Sequence, residues 1–229
     1  MQSYYKCFSS FSNYTYESLM KTPSQKPMIV SKQLRILLLT FLDGPYINDK
    51  ILGEFSKKIK KVSKKLMKTN TKIKKELFEL FPKFHDRITD LNSVVMGVPN
   101  DNDSDLDFTI EVKTIKEQKN IGETLKSNGY KLDQIYEENT FSRIKWHSYQ
   151  KYVNNIEIEV KVRSEKIMSG IKIAHKGIKN DLTPLQKLKV SFIKSVLSHG
   201  DKRTYKTFKY ILYVSMFNGH KKSVVFRHD

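Results

Sequence analysis

The chain has 229 residues, 38% of them hydrophobic, with 13 Phe and 12 Tyr. That is too rich in aromatics for a disordered protein and long enough for one large domain or two small ones. A single cysteine, Cys7, excludes an intramolecular disulfide framework and a cysteine-rich zinc site. Forty-two Lys and Arg against 24 Asp and Glu give a net charge of +18, a field that attracts polyanions: nucleic acid, nucleotide phosphates or acidic lipid.

Residues 1–30, with Pro23 and Pro27, read as an irregular or loosely helical lead-in. No basic stretch followed by an apolar run opens the chain. The longest apolar patch, Leu34–Leu42, falls far short of the ~20 residues that span a bilayer. The expectation is a soluble intracellular protein, cytoplasmic or nuclear, with no membrane partner. Ser31–Leu42 fits a short helix capped by Ser31 and ended by Asp43-Gly44-Pro45. Asn48 to about Leu80 fits a long helix, with Ile59, Val62, Leu66, Ile73 and Leu77 on one stripe. Its other face carries Lys57, Lys58, Lys60, Lys61, Lys64, Lys65, Lys68, Lys72, Lys74 and Lys75. Such a face is either merely solvated or tracks phosphates. On the second reading Lys57, Lys61, Lys64, Lys65 and Lys68 are the candidate nucleic-acid contacts.

The middle of the chain changes period. Ser93–Gly97 (SVVMG) has a short buried-strand pattern, and Asp105–Val112 reads as a second strand. Thr114 and Glu117 form a capping-box pattern for a helix that runs to Ser127 and stops at Asn128-Gly129. Tyr130–Tyr136, Thr140–Tyr149 and Ile156–Arg163 are the next expected strands. In the last, Ile156, Ile158, Val160 and Val162 alternate with Glu157, Glu159, Lys161 and Arg163. This order suggests an α/β or α+β layer with helices packed on one face. Thr183-Pro184 starts a further helix with Leu185, Leu188, Phe192, Val196 and Leu197 as its core stripe. A last helix spans about Arg203 to Asn218, and no internal repeat is visible. The resulting division is 1–80 (helical and basic), 81–180 (the sheet) and 181–229 (C-terminal helices).

Asp105 and Asp107 stand at i and i+2 of a strand, so both carboxylates project from one face while Leu106 and Phe108 turn inward. Paired anions repel unless one is protonated or a cation is bound, and a hard divalent ion suits such oxygen donors. Glu157 and Glu159 have the same geometry. If the two strands are neighbours, three carboxylates converge on one site.

SDLDFTI, preceded by VVMG and a polar turn, resembles the polymerase-beta-like nucleotidyltransferases, of the poly(A) polymerase and terminal nucleotidyltransferase type. Their signature is a strand, a Gly-Ser turn, Asp–hydrophobic–Asp on the next strand and a third acid on a later one. The resemblance covers roughly Asp90 to Arg163. It implies an α+β protein, with a small mixed nucleotidyltransferase sheet, helices packed against it and helical segments at both ends. It also implies Mg2+ or Mn2+ held by Asp105, Asp107 and Glu159, the same three residues being catalytic. Glu159 is preferred to Glu157 because a hydrophobic–basic–hydrophobic run follows it. Gly97 matches the turn glycine, but Val98 stands where the family has serine, so Ser104 or backbone amides would take that role. Lys187, Lys206 and Tyr205 are the implied contacts to triphosphate and base, with ATP among the expected nucleotides.

A second resemblance, of IEIEVKVRSEKIMSGIKIAHKGIKN to the (p)ppGpp synthetases, also falls on Glu159. Taken together, the expected activity is Mg-dependent transfer of a nucleoside monophosphate from an NTP to a hydroxyl, with an RNA 3′ end as acceptor. The alternatives are a non-catalytic RNA-binding or partner subunit that keeps a degenerate nucleotidyltransferase fold, and a pyrophosphotransferase.

Overall fold

The computed structural model describes residues 2–20, 27–102, 105–136 and 146–216. The chain divides into two compact units, one of Met1–Val62, Met96–Asn102 and Gly170–Asp229, the other of Ser63–Val95 and Asp103–Ser169. The protein is α+β: it has one five-stranded mixed sheet, and helices stand towards both ends of the chain. Among the described residues no helix is long and apolar enough to cross a membrane.

The first unit is helical. It holds α1 (Gln2–Met20), α2 (Pro27–Asp43), the start of α3 (Asp49–Leu80), most of α6 (Glu165–Asp181), α7 (Pro184–Ser198) and α8 (Lys202–Ser215). Phe8, Leu38, Leu42, Phe55, Phe192, Val196, Phe208 and Leu212 are buried together in its core. Phe192 is the hub, with Tyr4, Phe8 and Phe55 edge-on to it at 5.2–6.2 Å between ring centroids. Cys7 is half-buried against this core. The expected irregular lead-in is therefore mostly helix. Its Ser and Tyr content hid a core-facing side, since Phe8 is fully buried and Ser12 satisfies its hydroxyl on the Phe8 carbonyl at 2.8 Å. Ser31 is likewise not a cap. The helix has already begun at Pro27, and buried Ser31 donates across the unit to the Val214 carbonyl at 2.8 Å. The Asp43-Gly44 stop is where the sequence places it, and Lys189 completes it by donating to the carbonyls of Leu42 (2.6 Å) and Gly44 (3.0 Å). A buried ammonium at a helix C-terminus meets both the orphan carbonyls and the negative end of the dipole.

The second unit carries the sheet: β1 (Ile88–Asp90), β2 (Asp105–Val112), β3 (Lys131–Tyr136), β4 (Trp146–Val153) and β5 (Ile156–Ser164). The order is β1-β2-β5-β4-β3, with β2 parallel to β5 and all other pairs antiparallel. The pattern read as a strand at SVVMG is instead the one-turn helix α4 (Ser93–Met96), closed by the Val95 amide on the Asn92 carbonyl at 3.1 Å. The strand beside β2 is the three-residue β1, too short to show a period. Of the strand expected over Thr140–Tyr149, residues 140–145 lie outside the described residues, and β4 runs on to Val153. A two-residue turn, Asn154-Asn155, joins β4 to β5 with both residues left-handed (φ 52° and 60°), the hairpin geometry that Asn tolerates best after Gly.

Helix α5 (Ile115–Ser127) lies on the face of the sheet that carries Val160, because Tyr149, the register partner of Val160, reaches Gly122 of that helix. Its start is the expected cap: Thr114 Oγ1 accepts from the Glu117 amide at 3.1 Å, and the Glu117 carboxylate accepts from the Lys113 amide at 2.7 Å. Arg87 binds both oxygens of Glu117 at 3.2 Å, and these contacts hold its carboxyl below the ordinary glutamate range despite the opposing effect of burial. Gly129 (φ 84°) supplies the left-handed stop. Thr114→Ala is expected to lower unfolding free energy by about 1 kcal/mol, measured by urea denaturation, with the sheet unaffected.

Candidate active site

The parallel register of β2 and β5 decides what the acids can do. It sets Asp105 opposite Glu157, Asp107 opposite Glu159, Thr109 opposite Lys161 and Glu111 opposite Arg163. Leu106, Phe108, Ile110, Ile156, Ile158, Val160 and Val162 are all buried, as the alternation requires. The other face is therefore a ladder of charge. Four acids stand at its N-terminal end, while Lys161 and then Glu111 with the buried Arg163, whose guanidinium stacks 5.2 Å from the Trp146 ring, stand further along. The strands carrying the expected acids are thus hydrogen-bonded neighbours.

The centre of the ladder is the group Asp107, Glu159, Lys161 and Ser148. The Lys161 ammonium lies 2.9 Å from Asp107 Oδ1 and 2.8 Å from Glu159 Oε2. The hydroxyl of fully buried Ser148, on β4, donates to the other glutamate oxygen, Oε1, at 2.5 Å. Burial first, and then the neighbouring Asp107 within hydrogen-bonding reach, push the Glu159 carboxyl above its ordinary value, although Lys161 pulls the other way. Lys161 itself is held above the ordinary lysine value. Burial is the largest influence and opposes this, but the two carboxylates together outweigh it. Glu157 is engaged elsewhere, by Gln150 Nε2 at 2.5 Å and the Tyr152 hydroxyl at 3.3 Å. Asp105 is exposed at the head of β2.

A second set of bonds fixes the backbone that presents Asp107. Buried Asn92 accepts from the Asp107 amide through Oδ1 and donates through Nδ2 to Asn70 Oδ1 of α3. Asn70 passes the chain on to Asp90 Oδ2 at 3.2 Å, where Lys74 also binds at 3.3 Å. The Asp107 carbonyl meanwhile accepts from the Leu91 amide at 2.9 Å. Asp107 is thus tied on both sides of its peptide.

Of the other sequence candidates, Gly97, Lys187, Lys194, Tyr205, Lys206, Lys57 and Lys61 belong to the helical unit, and Lys64, Lys65 and Lys68 to the sheet unit. Gly97 is left-handed (φ 79°), and a Cβ there would sit 3.3 Å from the Lys187 side chain, so these two expected nucleotide contacts do meet. The Lys187 ammonium, however, donates to the Lys179 carbonyl at 2.5 Å. Lys194, buried, donates to the Val98 carbonyl at 2.7 Å. Tyr205 is half-buried, accepts from Asn100 Nδ2 at 3.2 Å and has the Lys209 ammonium 5.5 Å from its ring centre. Lys206 is half-buried on α8. Lys57, Lys61, Lys64, Lys65 and Lys68 are all exposed on α3. Ser104 lies outside the described residues.

Sequence reasoning overlooked Lys161, Ser148 and Asn92 as members of the site. Lys161 was visible as the basic residue two after Glu159, but its role depends on the register, and the parts of Ser148 and Asn92 depend on tertiary pairing. Asp107 and Glu159 offer hard oxygens in mutual contact, which fits a divalent ion held by two carboxylates and completed by substrate phosphates. They do not make a three-acid cage: among the described residues no three His, Cys, Asp or Glu side chains are gathered so as to hold a metal. Comparison of the sequence with models of known protein families and with curated proteins finds no match.

Proposed function

We propose that the chain is a metal-dependent nucleotidyltransferase that moves a nucleoside monophosphate from an NTP to a hydroxyl acceptor, an RNA 3′ end. The observation that carries this reading is the parallel register that puts Asp107 beside Glu159 on adjacent strands. Asp107 and Glu159 would hold Mg2+ or Mn2+, with Asp105 on the same face of β2. When bound, the ion supplies Lewis-acid activation of the acceptor hydroxyl and charge neutralisation at the departing pyrophosphate. Glu159 would complete the site beside the ion and help activate the acceptor hydroxyl. Lys161 holds the two carboxylates together, and its ammonium would be available to the triphosphate were a divalent cation to bind them in its place.

The second reading, an RNA-binding module on a degenerate nucleotidyltransferase sheet, is favoured by the same lysine, since its ammonium already neutralises the pair without a metal. Purified protein with an RNA primer, each of the four NTPs and Mg2+ or Mn2+ separates the two. On the enzymatic reading the primer is extended, and Asp107→Asn or Glu159→Gln reduces extension at least about a hundredfold while leaving the fold intact by circular dichroism. Primer binding without extension in either metal supports the module. Pyrophosphate transfer to a free nucleotide would support the pyrophosphotransferase instead.

A further inference from the structure

Helix α3 carries a second functional feature that catalysis does not use. Its exposed face bears Lys57, Lys60, Lys61, Lys64, Lys65, Lys68 and Lys72. Lys57, Lys61, Lys64, Lys68, Lys72 and Lys75 follow one another in steps of three and four residues, so they form a single line about 27 Å long, one lysine per turn. Lys58, Lys74 and Lys75 pair with Asp101, Asp90 and Glu79; the other seven form no ion pair among the described residues. No Asp or Glu interrupts the helix between Phe55 and Lys75. Like charges at these spacings destabilise a helix, and a polyanion laid along the row relieves them.

The chemistry of the row narrows the partner. From Ser56 to Lys75 there is no aromatic, no Arg and no Gln, and the single Asn, Asn70, is buried. The row thus offers no aromatic surface on which unpaired bases would stack and no exposed Arg, Asn or Gln to read base edges. It suits a nucleic acid whose bases are already paired and which shows only phosphates. The opposite side of the helix is buried through Phe55, Ile59, Leu66, Ile73 and Leu77. That burial leaves no apolar face to insert into lipid. Phosphates along an A-form strand are more closely spaced than along B-form and lie nearer the one-turn repeat of the lysines. We infer that α3 is a sequence-independent docking rail for double-stranded RNA. This stands apart from the proposed catalysis, because binding requires neither metal nor nucleotide.

The test is fluorescence anisotropy with RNA duplexes of about 20 base pairs and two unrelated sequences, titrated between ~50 and ~200 mM salt. Both duplexes are expected to bind alike, with affinity falling at least about a thousandfold over that range. Lys57→Gln/Lys61→Gln/Lys64→Gln/Lys68→Gln should flatten the plot of log affinity against log salt by about one unit per lysine. The same variant should melt no lower than wild type, and Asp107→Asn should bind duplex as wild type does. The inference is overturned by an unchanged salt slope in the quadruple variant or by equal loss of binding in Asp107→Asn. Tighter binding of single-stranded RNA, of the matching DNA duplex or of phosphatidylserine vesicles overturns it as well.

Discussion

Replacing Lys161 by methionine is expected to lower the unfolding free energy by about 3 kcal/mol near neutral pH, and much of that loss should return on acidification. The side chain is only a fifth exposed and its ammonium touches both Asp107 and Glu159. Methionine fills similar space but leaves two carboxylates in contact with no cation between them. The pH dependence follows from the direction of the Glu159 shift. Its carboxyl is already raised above the ordinary 4.5, by burial before anything else, and without Lys161 it rises further. The folded state then binds more protons than the unfolded one. Stability therefore falls as pH climbs from about 4.5 through the raised value, and it recovers as pH is lowered through that window. In the wild type Lys161 adds an alkaline limb: its stabilisation is complete below the ordinary lysine value of 10.5 and fades as pH rises through the raised one. Methionine removes that limb. Urea denaturation at pH 4, at pH 7 and above pH 10.5 measures all three regimes. A deficit of the same size at pH 4 and pH 7 would sink the idea that the lysine acts by holding the two acids together. Millimolar Mg2+ should raise the Tm of the variant more than that of the wild type, since a bound cation stabilises only the folded pair.

What could be read from the sequence depended on whether a feature is local. The long helix α3 and strand β5 declare themselves through uninterrupted periods of 3.6 and 2, and the cap at Thr114 and the helix start at Thr183-Pro184 lie where the sequence places them. The facing of Asp105 with Asp107, and of Glu157 with Glu159, likewise needs only the pleat. Ser31 and SVVM misled because local preference was overridden by packing: a serine that would cap in isolation instead bonds the Val214 carbonyl, and a β-branched pair closes one helical turn over Asn92. Helix α6 does not follow from the strand pattern before it, and β1 is too short for any pattern. Asn154-Asn155 did carry a local hairpin signal, two residues that tolerate positive φ between alternating strands, and it went unread. The site was legible only in part. That Lys161 falls between the acids is a consequence of one parallel register, and that Lys189 and Lys194 serve backbone carbonyls is a consequence of which helices pack together. A lysine that satisfies a carbonyl inside a core looks the same in sequence as one that waits for a phosphate.

Asn92→Ala should have a nearly equal effect, about 3 kcal/mol, by a different route. No acid or base is removed. The change strips the acceptor from the Asp107 amide and the donor from Asn70 Oδ1, both in a part of the sheet unit from which water is largely excluded. Each orphaned group costs about 1–3 kcal/mol. Asn92→Asp separates the two bonds. It keeps an acceptor for the Asp107 amide, loses the donor to Asn70, and places a new carboxylate where Asp90 and Asp107 already stand. It should therefore be less stable than Asn92→Ala at neutral pH and more stable than it once acid protonates the new side chain. Amide hydrogen exchange supplies the local readout. In Asn92→Ala the Asp107 and Leu91 amides should exchange faster relative to Ile110, because only the former pair lie next to the lost bond. A loss under about 1 kcal/mol, or uniform acceleration across β2, would mean that Asn92 fills space and does not hold the peptide that presents Asp107.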